Sequence, residues 1–191
     1  MWIEAKVPYA YRETLADAYN RAMKTSKANW VLLLDHDIFL ASNIHWYKIL
    51  LKGIKQVDVN KTGLITCVTS GRGSLPQGSN VTEEKVRHPD IRIHLQEADR
   101  LYKKYGTEVK EINSYHIAGF FMLINKSVWE KIKFSSEASN NGIDKIDHDY
   151  CRKLLNNEYK IYVMPGLYVY HMRYRWTTKR GTNHGKTGKS N

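Results

Sequence analysis

The sequence predicts an α/β fold in three layers, with helices on both faces of a mostly parallel central sheet. Short apolar runs of strand length alternate along the chain with segments whose apolar residues recur at helical spacing, which is typical of such folds. A chain of 191 residues fits one domain that buries about 70% of its unfolded surface. Its 42% hydrophobic and 26% charged residues exclude a disordered or fibrous protein.

The first elements are a strand, a helix and a second strand. Trp2–Val7 predicts a short strand that ends at Pro8. Thr14 and Asp17 have the spacing of a capping box, so we expect a helix to begin there. The run WVLLL, residues 30–34, is continuously apolar and predicts a strand buried on both faces of the sheet.

The middle of the chain continues the alternation. Ser42 or Asn43 is expected to cap a helix whose apolar stripe extends to residue 54. Thr62–Val68 predicts a second buried strand. The next helix is expected to begin at Pro89–Asp90 and to end at Gly106, because proline favours the first turn and glycine the end of a helix.

The last elements are shorter and follow the same pattern. Val109–Ile112 and Phe120–Ile124 predict strands, and a short helix is expected around Trp129. Asp147–Leu155 predicts a further helix. The segment Ile161–His171 predicts two extended runs, IYVMP and LYVYH, on either side of a glycine.

Charge divides the chain into a body and a tail. The net charge is +11, from 30 basic and 19 acidic residues. Residues 172–191 hold six basic residues and no acidic one, so the rest of the chain carries only +5. We therefore expect one domain over residues 1–175 and a flexible basic tail over residues 176–191. The surplus of positive charge favours an acidic partner. The chain has no known nucleic-acid-binding module, so nucleic acid is an unlikely partner.

The two cysteines and the apolar runs bear on location. Cys67 and Cys151 have neither zinc-type spacing nor the number needed for a disulfide framework, which favours a reduced environment. The start of the sequence lacks the apolar run of a signal peptide. No apolar run has the length of a transmembrane segment. We expect a cytoplasmic protein.

Two carboxylates directly follow the strand WVLLL. Ligands of open α/β sheets bind beyond the carboxyl ends of the strands, and Asp35 and Asp37 stand at such a position. Their hard oxygen ligands suit Mg²⁺ or Mn²⁺. The alternative is an ordinary solvated turn.

A second acidic pair and a late histidine are further candidates. Asp147 and Asp149 could cap the helix that they begin, or one of them could act as a general base. His171 ends an apolar run and is either a structural residue or a metal ligand. Arg173 and Arg175, which follow it, are suited to bidentate phosphate contacts.

The order of these motifs resembles that of glycosyltransferases with the GT-A fold, family 2 most closely, and shares features with the polypeptide N-acetylgalactosaminyltransferases. The resemblance covers residues 15–175. It rests on five segments, which are LADAYNRAM, WVLLLDHDIFL, HIAGFFMLINKSVWEKI, KIDHDYCRKLLNNEYKIYVMP and VYHMRY.

The resemblance implies roles for individual residues. Asp35 and Asp37 would be the D-x-D pair that holds Mn²⁺ or Mg²⁺ on the diphosphate, and His171 would complete that site. Asp147 would be the catalytic base, with Asp149 as its neighbouring acid. The sugar and acceptor pocket would be lined by Ala118, Gly119 and Phe120. Donor binding would involve Val7, Pro8, Tyr9, Arg12, Asn20, His36, Arg173 and Arg175.

The resemblance therefore implies a metal-dependent transfer of a sugar, with inversion, from a UDP-sugar to an acceptor hydroxyl. The sequence departs from the family at its start, where a single strand precedes the first helix, and at Ile146, which replaces an acidic residue. One alternative is a protein that binds or hydrolyses nucleotide sugars with little transfer. A less favoured one is an anion-binding or nucleic-acid-binding module.

Overall fold

A computed structural model describes residues 2–70, 76–79, 90–140 and 146–172. Its strands are β1 (Ile3–Lys6), β2 (Trp30–Leu34), β3 (Ile38–Phe39), β4 (Thr62–Thr69), β5 (Lys110–Ile112), β6 (Phe121–Asn125) and β7 (Lys160–His171). Its helices are α1 (Leu15–Thr25), α2 (Trp46–Ile54), α3 (Ile91–Tyr105), α4 (Lys126–Trp129), α5 (Ser136–Asn140) and α6 (Ile146–Asn156).

All seven strands belong to one sheet. Their order is β1-β2-β6-β4-β7-β3, and β5 also pairs with β7. The pairs β1–β2 and β4–β7 are parallel, whereas β6 is antiparallel to both β2 and β4. Strands β1, β2, β4 and β7 therefore share one direction, which confirms the predicted mostly parallel sheet. The reversed β6 between β2 and β4 was not predicted.

Helices cover both faces of the sheet, so the α/β prediction is confirmed. All five residues of β2 are buried, and successive side chains point to opposite faces of a strand. Leu33 belongs to the apolar cluster that contains Met23 of α1, whereas Leu32 belongs to the cluster that contains Ile49 of α2. The two clusters form the two sides of a three-layer core.

The start of α1 is fixed as predicted, and the start of α2 is not. Thr14 Oγ1 accepts a hydrogen bond from Asp17 N, and the Asp17 carboxylate accepts from Thr14 N, which completes the capping box. Capping of α2 by Ser42 or Asn43 was wrong. The residue before α2 is His45, whose side chain makes no capping hydrogen bond. The side chains of Ser42 and Asn43 bond to backbone carbonyls instead, Ser42 Oγ to Phe39 O and Tyr168 O and Asn43 Nδ2 to Gly166 O.

The two extended runs near the end of the chain form one strand. In the pairing of β4 with β7, Cys67 lies opposite Met164 and Val68 lies opposite Tyr168, so residues 165–167 form a bulge. Gly166 is needed in this bulge, since a Cβ there would lie 2.2 Å from Gly106 O.

Several predictions concern parts of the chain that are not described. Arg173, Arg175 and the tail over residues 176–191 lie outside the described residues, and the domain boundary at residue 175 stays a prediction. None of the helices that the structure describes is long and apolar enough to cross a membrane. Both cysteines are buried free thiols.

Candidate active site

Strand pairing brings Asp35, Asp37 and His171 together. The carboxylates follow the end of β2, and β3 begins at the next residue, Ile38, which lies opposite His171 in the antiparallel β3–β7 pair. Met172 N donates to Asp37 O over 2.9 Å and fixes the end of this pair. His171 Nε2 lies 3.1 Å from Asp37 Oδ1 and 3.8 Å from Asp35 Oδ2. Two segments more than 130 residues apart therefore converge at one edge of the sheet.

The three side chains differ in exposure. The imidazole of His171 is 10% exposed, and its ring centre lies 5.6 Å from that of Phe120. Burial raises the pKa of Asp35, the proximity of His171 opposes this rise, and the charge of Asp37 adds to it. Bringing two carboxylates together in a partly buried place is unfavourable without a cation.

These residues fit a divalent cation. One donor atom from each of Asp35, Asp37 and His171 can be chosen so that all lie within 4.8 Å of one another. Two carboxylate oxygens with an imidazole nitrogen suit Mn²⁺, and the carboxylates alone suit Mg²⁺. A single ion also has room for water and phosphate ligands beside three protein ligands.

The carboxylate of Asp147 lies against the backbone that precedes β6. Gly119 N donates to Asp147 Oδ2 over 2.6 Å, and His148 N donates to Asp147 Oδ1 over 2.9 Å. Phe120, the residue after Gly119, connects to the turn of Asp35 and Asp37, because Asp35 N donates to Phe120 O over 3.0 Å. The segment of residues 118–120, predicted to line a pocket, therefore connects the Asp35 turn to the start of α6.

Burial also raises the pKa of Asp147, and hydrogen bonds from the amides of His148 and Gly119 counter part of this rise. The charges of Asp35 and Asp147 both contribute to the raised pKa of Tyr19, after burial as the main cause. The charge of Asp147 likewise contributes to the raised pKa of Asp35. The charges of Asp35 and Asp147 therefore affect the same neighbouring groups. A partly buried aspartate with a raised pKa is suited to accept a proton.

Asp149 is directed elsewhere. Its carboxylate pairs with Arg152 at 2.7 Å and with Lys153 at 2.8 Å, both on its own helix α6. Residues two apart on a helix do not face the same side, so Asp147 and Asp149 cannot both point to Gly119. The Asp149 carboxylate thus forms ion pairs within α6, and its predicted catalytic role stays a prediction.

Asn20 has hydrogen-bond partners within the protein, and its predicted role in donor binding stays a prediction. Its Oδ1 accepts from Trp129 Nε1 over 3.0 Å and from Phe134 N over 3.1 Å. Its Nδ2 donates to Phe134 O over 2.9 Å. These three bonds attach α1 to the segment after α4, and both lone pairs of the amide oxygen are used.

Most of the remaining donor-binding candidates lie after β1. A cleft of about 570 Å³ is lined by Val7, Pro8 and Tyr9 together with Ala18, Arg21, Ala22 and Thr25 of α1. In the parallel pair β1–β2, Lys6 lies opposite Leu33, so the segment after β1 and the Asp35 turn lie at the same edge of the sheet.

Arg12 and His36 are two further donor-binding candidates, and neither lines the cleft. The guanidinium of Arg12 is 5.1 Å from the ring centre of Tyr11, and the backbone of Arg12 has a φ of 57°. His36 is exposed on the turn between Asp35 and Asp37. Arg173 and Arg175 belong to the segment that is not described.

Gln77 is a site residue that sequence reasoning missed. Its fully buried side chain accepts from Ala118 N over 2.8 Å and donates to Ala118 O over 3.2 Å and to Thr66 Oγ1 over 2.6 Å. It therefore holds the backbone next to Gly119. Its sequence context, a stretch rich in glycine, serine and proline, indicates only a loop, so no local signal identifies it.

Comparison with known proteins adds one match. The model of a family described as glycosyltransferase-like matches residues 5–187, which is nearly the whole chain. No curated protein matches the chain significantly.

Proposed function

Because the chain belongs to a glycosyltransferase-like family, we propose that it transfers a sugar from a nucleoside-diphosphate sugar to an acceptor hydroxyl, using a divalent cation. The observation that carries this proposal is the convergence of Asp35, Asp37 and His171 at the edge of the sheet where β2 ends. The family match supports the transfer of a sugar, and the three possible metal ligands support a dependence on a metal.

Asp35, Asp37 and His171 would hold the cation, Mn²⁺ or Mg²⁺. When bound, the ion would neutralise the charge that develops on the leaving diphosphate. Strands β3 and β7 hold the two sides of this site in register, so little rearrangement of the backbone would be needed for binding. The raised pKa of Asp35 has a consequence for affinity, because a proton on this carboxyl competes with the metal.

Asp147 is the base in this proposal. Its carboxylate takes the proton of the acceptor hydroxyl while the acceptor oxygen forms a bond to C1 of the sugar. The bond from C1 to the diphosphate oxygen breaks, and its electron pair leaves with the diphosphate. The amides of Gly119 and His148 orient the two oxygens of the carboxylate and leave lone pairs on both for the proton. Attack opposite to the leaving group gives inversion at C1.

The cleft after β1 is the proposed place of the nucleotide. Val7, Pro8 and Tyr9 would contact the base, and Arg12 and His36 would lie toward the phosphates. Tyr9 is 74% exposed and so has ring surface available for stacking on a base. UDP is the donor nucleotide that we propose, on the family resemblance, and Asn20 is left out because its amide bonds to the protein.

A second candidate function is binding or hydrolysis of a nucleotide sugar with little transfer. The observation that favours it is the position of β1 at the edge of the sheet. The cleft beside β1 is therefore bounded by strands on one side only, which favours weak or incomplete enclosure of a donor.

Thermal unfolding with a panel of nucleotide sugars tests the proposal. Any ligand that binds the folded state raises the unfolding temperature. We expect a UDP-sugar with Mn²⁺ to stabilise the wild type and the control Asp99→Asn, which changes an exposed carboxylate on α3, but not Asp37→Asn. The stabilising donor should then release nucleoside diphosphate on incubation.

The possible results separate the two candidates. Stabilisation without release of nucleoside diphosphate would favour the binding protein over the transferase. If no nucleotide sugar stabilised the wild type, or if Asp37→Asn were stabilised equally, the proposed donor site would be wrong.

A further inference from the structure

Three aromatic rings lie next to the proposed base without a role in the metal site or the donor cleft. We call Tyr115, His116 and His148 the ring platform. The ring centres of Tyr115 and His116 are 4.1 Å apart at an interplanar angle of 38°. Those of His116 and His148 are 5.2 Å apart at 83°. Gly119 N, three residues after His116, donates to Asp147 Oδ2 over 2.6 Å, so the segment that carries Tyr115 and His116 adjoins the carboxylate that accepts the proton in the proposed reaction.

The rings of the platform are presented to solvent rather than packed in the core. Tyr115 is 43% exposed, His116 is exposed and His148 is partly exposed. The next residue, Ile117, is fully buried. An exposed tyrosine is common by itself, but here His116 contacts both Tyr115 and His148, so the three rings form a continuous aromatic surface near a partly buried carboxylate.

The backbone beneath the platform is fixed by hydrogen bonds. His116 N donates to Ser114 Oγ over 3.2 Å, and Ile117 N donates to Tyr115 O over 2.9 Å. Ala118, two residues further on, bonds to Gln77 through both its N–H and its C=O. The rings therefore stand on a short, constrained segment, which lowers the conformational entropy that the protein would lose when a ligand binds to them.

We propose that the ring platform is the acceptor subsite and that the acceptor is a saccharide; this inference rests on the proposed transferase function. A sugar ring has one face of C–H groups and a rim of hydroxyls. The face of Tyr115 carries partial negative charge and attracts polarised C–H groups. A neutral imidazole offers one donor and one acceptor, so His116 and His148 can bond to the hydroxyl rim.

The shape of the surface favours a saccharide over other acceptors. A peptide is commonly bound along a strand edge or in a groove for a helix, and a lipid chain needs an extended apolar groove. The platform is a small patch of three rings that carry polar atoms, which matches the size and mixed polarity of a sugar residue.

The platform would determine whether the acceptor or water attacks the donor. Contacts between the rings and the non-reacting part of the saccharide hold one of its hydroxyls beside Asp147, where its proton passes to the carboxylate as its oxygen bonds to C1. Positioning of this kind favours the bound hydroxyl over a water molecule. Loss of ring contact should therefore weaken transfer to the saccharide and leave hydrolysis of the donor unchanged.

Kinetics of Tyr115→Ala test this inference. Transfer from UDP-glucose or UDP-galactose to cellobiose or maltose would be measured alongside release of UDP into water. We expect Tyr115→Ala to raise the saccharide KM about 3- to 10-fold, the effect of one aromatic contact, with the donor KM and the hydrolysis rate unchanged. Tyr115→Phe keeps the ring and should retain the wild-type KM.

The control is Tyr47→Ala, which removes an exposed tyrosine on α2 that is 49% exposed and should leave the saccharide KM unchanged. A measurement independent of turnover is saturation transfer from protein aromatic protons to cellobiose or maltose by NMR. We expect the transfer in the wild type and in Tyr47→Ala and a weaker transfer in Tyr115→Ala at the same saccharide concentration.

The outcomes separate this inference from the proposed function. If the wild type releases no UDP with or without saccharide, the proposed function fails. If it releases UDP into water but glycerol serves as acceptor as well as the saccharides do, the saccharide subsite is wrong while the transferase survives. An unchanged saccharide KM in Tyr115→Ala, or equal NMR saturation transfer in that variant, would also overturn it.

Discussion

Replacing Gly119 with alanine displaces the proposed base, Asp147, and leaves its residue type unchanged. A Cβ at this position would lie 3.2 Å from both Cβ and Oδ2 of Asp147 and 3.4 Å from Cε of Met122. Ordinary carbon contacts are about 3.5–4.0 Å, so Asp147 must move away by a few tenths of an ångström. Gly119 does not have a positive φ, so alanine adds no strain to the backbone.

The expected cost follows from that displacement. Moving a catalytic group by about 1 Å costs on the order of 100-fold in rate, so a displacement of about half that costs on the order of 10-fold, or about 1.4 kcal/mol in the activation free energy. The 2.6 Å hydrogen bond from Gly119 N to Asp147 Oδ2 should also lengthen. Affinity for Mn²⁺ should stay unchanged, because the metal site is built by other side chains.

The assay compares kcat for sugar transfer and the Kd for Mn²⁺ in Gly119→Ala, the wild type and Gly78→Ala. Gly78 is a matched control, since a Cβ there meets no atom within 4 Å. We expect only Gly119→Ala to lose rate. A wild-type kcat in this variant would refute the inference that the contact with Gly119 positions the base.

Three further predictions concern Asp147, Asp149 and Asn20, whose side chains have different hydrogen-bond and ion-pair partners. Burial raises the pKa of Asp147 above its usual value, so the rate of transfer should fall as the pH drops through this raised pKa. Asp147→Asn should lose about 10²- to 10⁴-fold in kcat; a wild-type pH–rate profile in this variant would contradict the role of Asp147 as base. Asp149→Asn should keep a transfer rate near that of the wild type and lose less than about 1 kcal/mol of unfolding free energy in urea, because ion pairs between neighbouring turns of one helix stabilise little; a large loss of kcat would contradict this. Asn20→Ala should lose about 2 kcal/mol of unfolding free energy, since Trp129 Nε1 loses its partner, with the donor KM unchanged; a raised donor KM at wild-type stability would instead support a role in donor binding.

Local patterns were enough to predict most of the fold. Strand β2 has five consecutive apolar residues and is buried on both sides, and the capping box at Thr14 and Asp17 fixes the start of α1. Each depends on residues that are neighbours in sequence. The reversed direction of β6 could not be predicted in the same way, because a buried strand has the same composition in either direction.

The candidate site was predictable where it follows strand ends. Asp35 and Asp37 are recognisable because they come directly after β2. Their convergence with His171 requires the antiparallel pairing of β3, a strand of only two residues, which no pattern in the sequence indicates. The resemblance to known transferases implied this histidine, and the pairing explains how it reaches the carboxylates.

Other roles depend on long-range contacts that the sequence does not reveal. Asn20 lies in a motif associated with nucleotide binding, yet its partners Trp129 and Phe134 are more than 100 residues away. Gln77 reaches Ala118 from a loop. Asp149 has the same residue type and neighbourhood as Asp147, and only the helical rotation between them separates their environments.

Metal dependence of donor cleavage tests the central claim most directly. Release of nucleoside diphosphate from UDP-sugars would be measured in EDTA and after addition of excess Mn²⁺, for the wild type and Asp37→Asn. We predict no release in EDTA, recovery with Mn²⁺ in the wild type and little recovery in Asp37→Asn. Equal release under all four conditions would contradict a catalytic metal held by Asp35, Asp37 and His171.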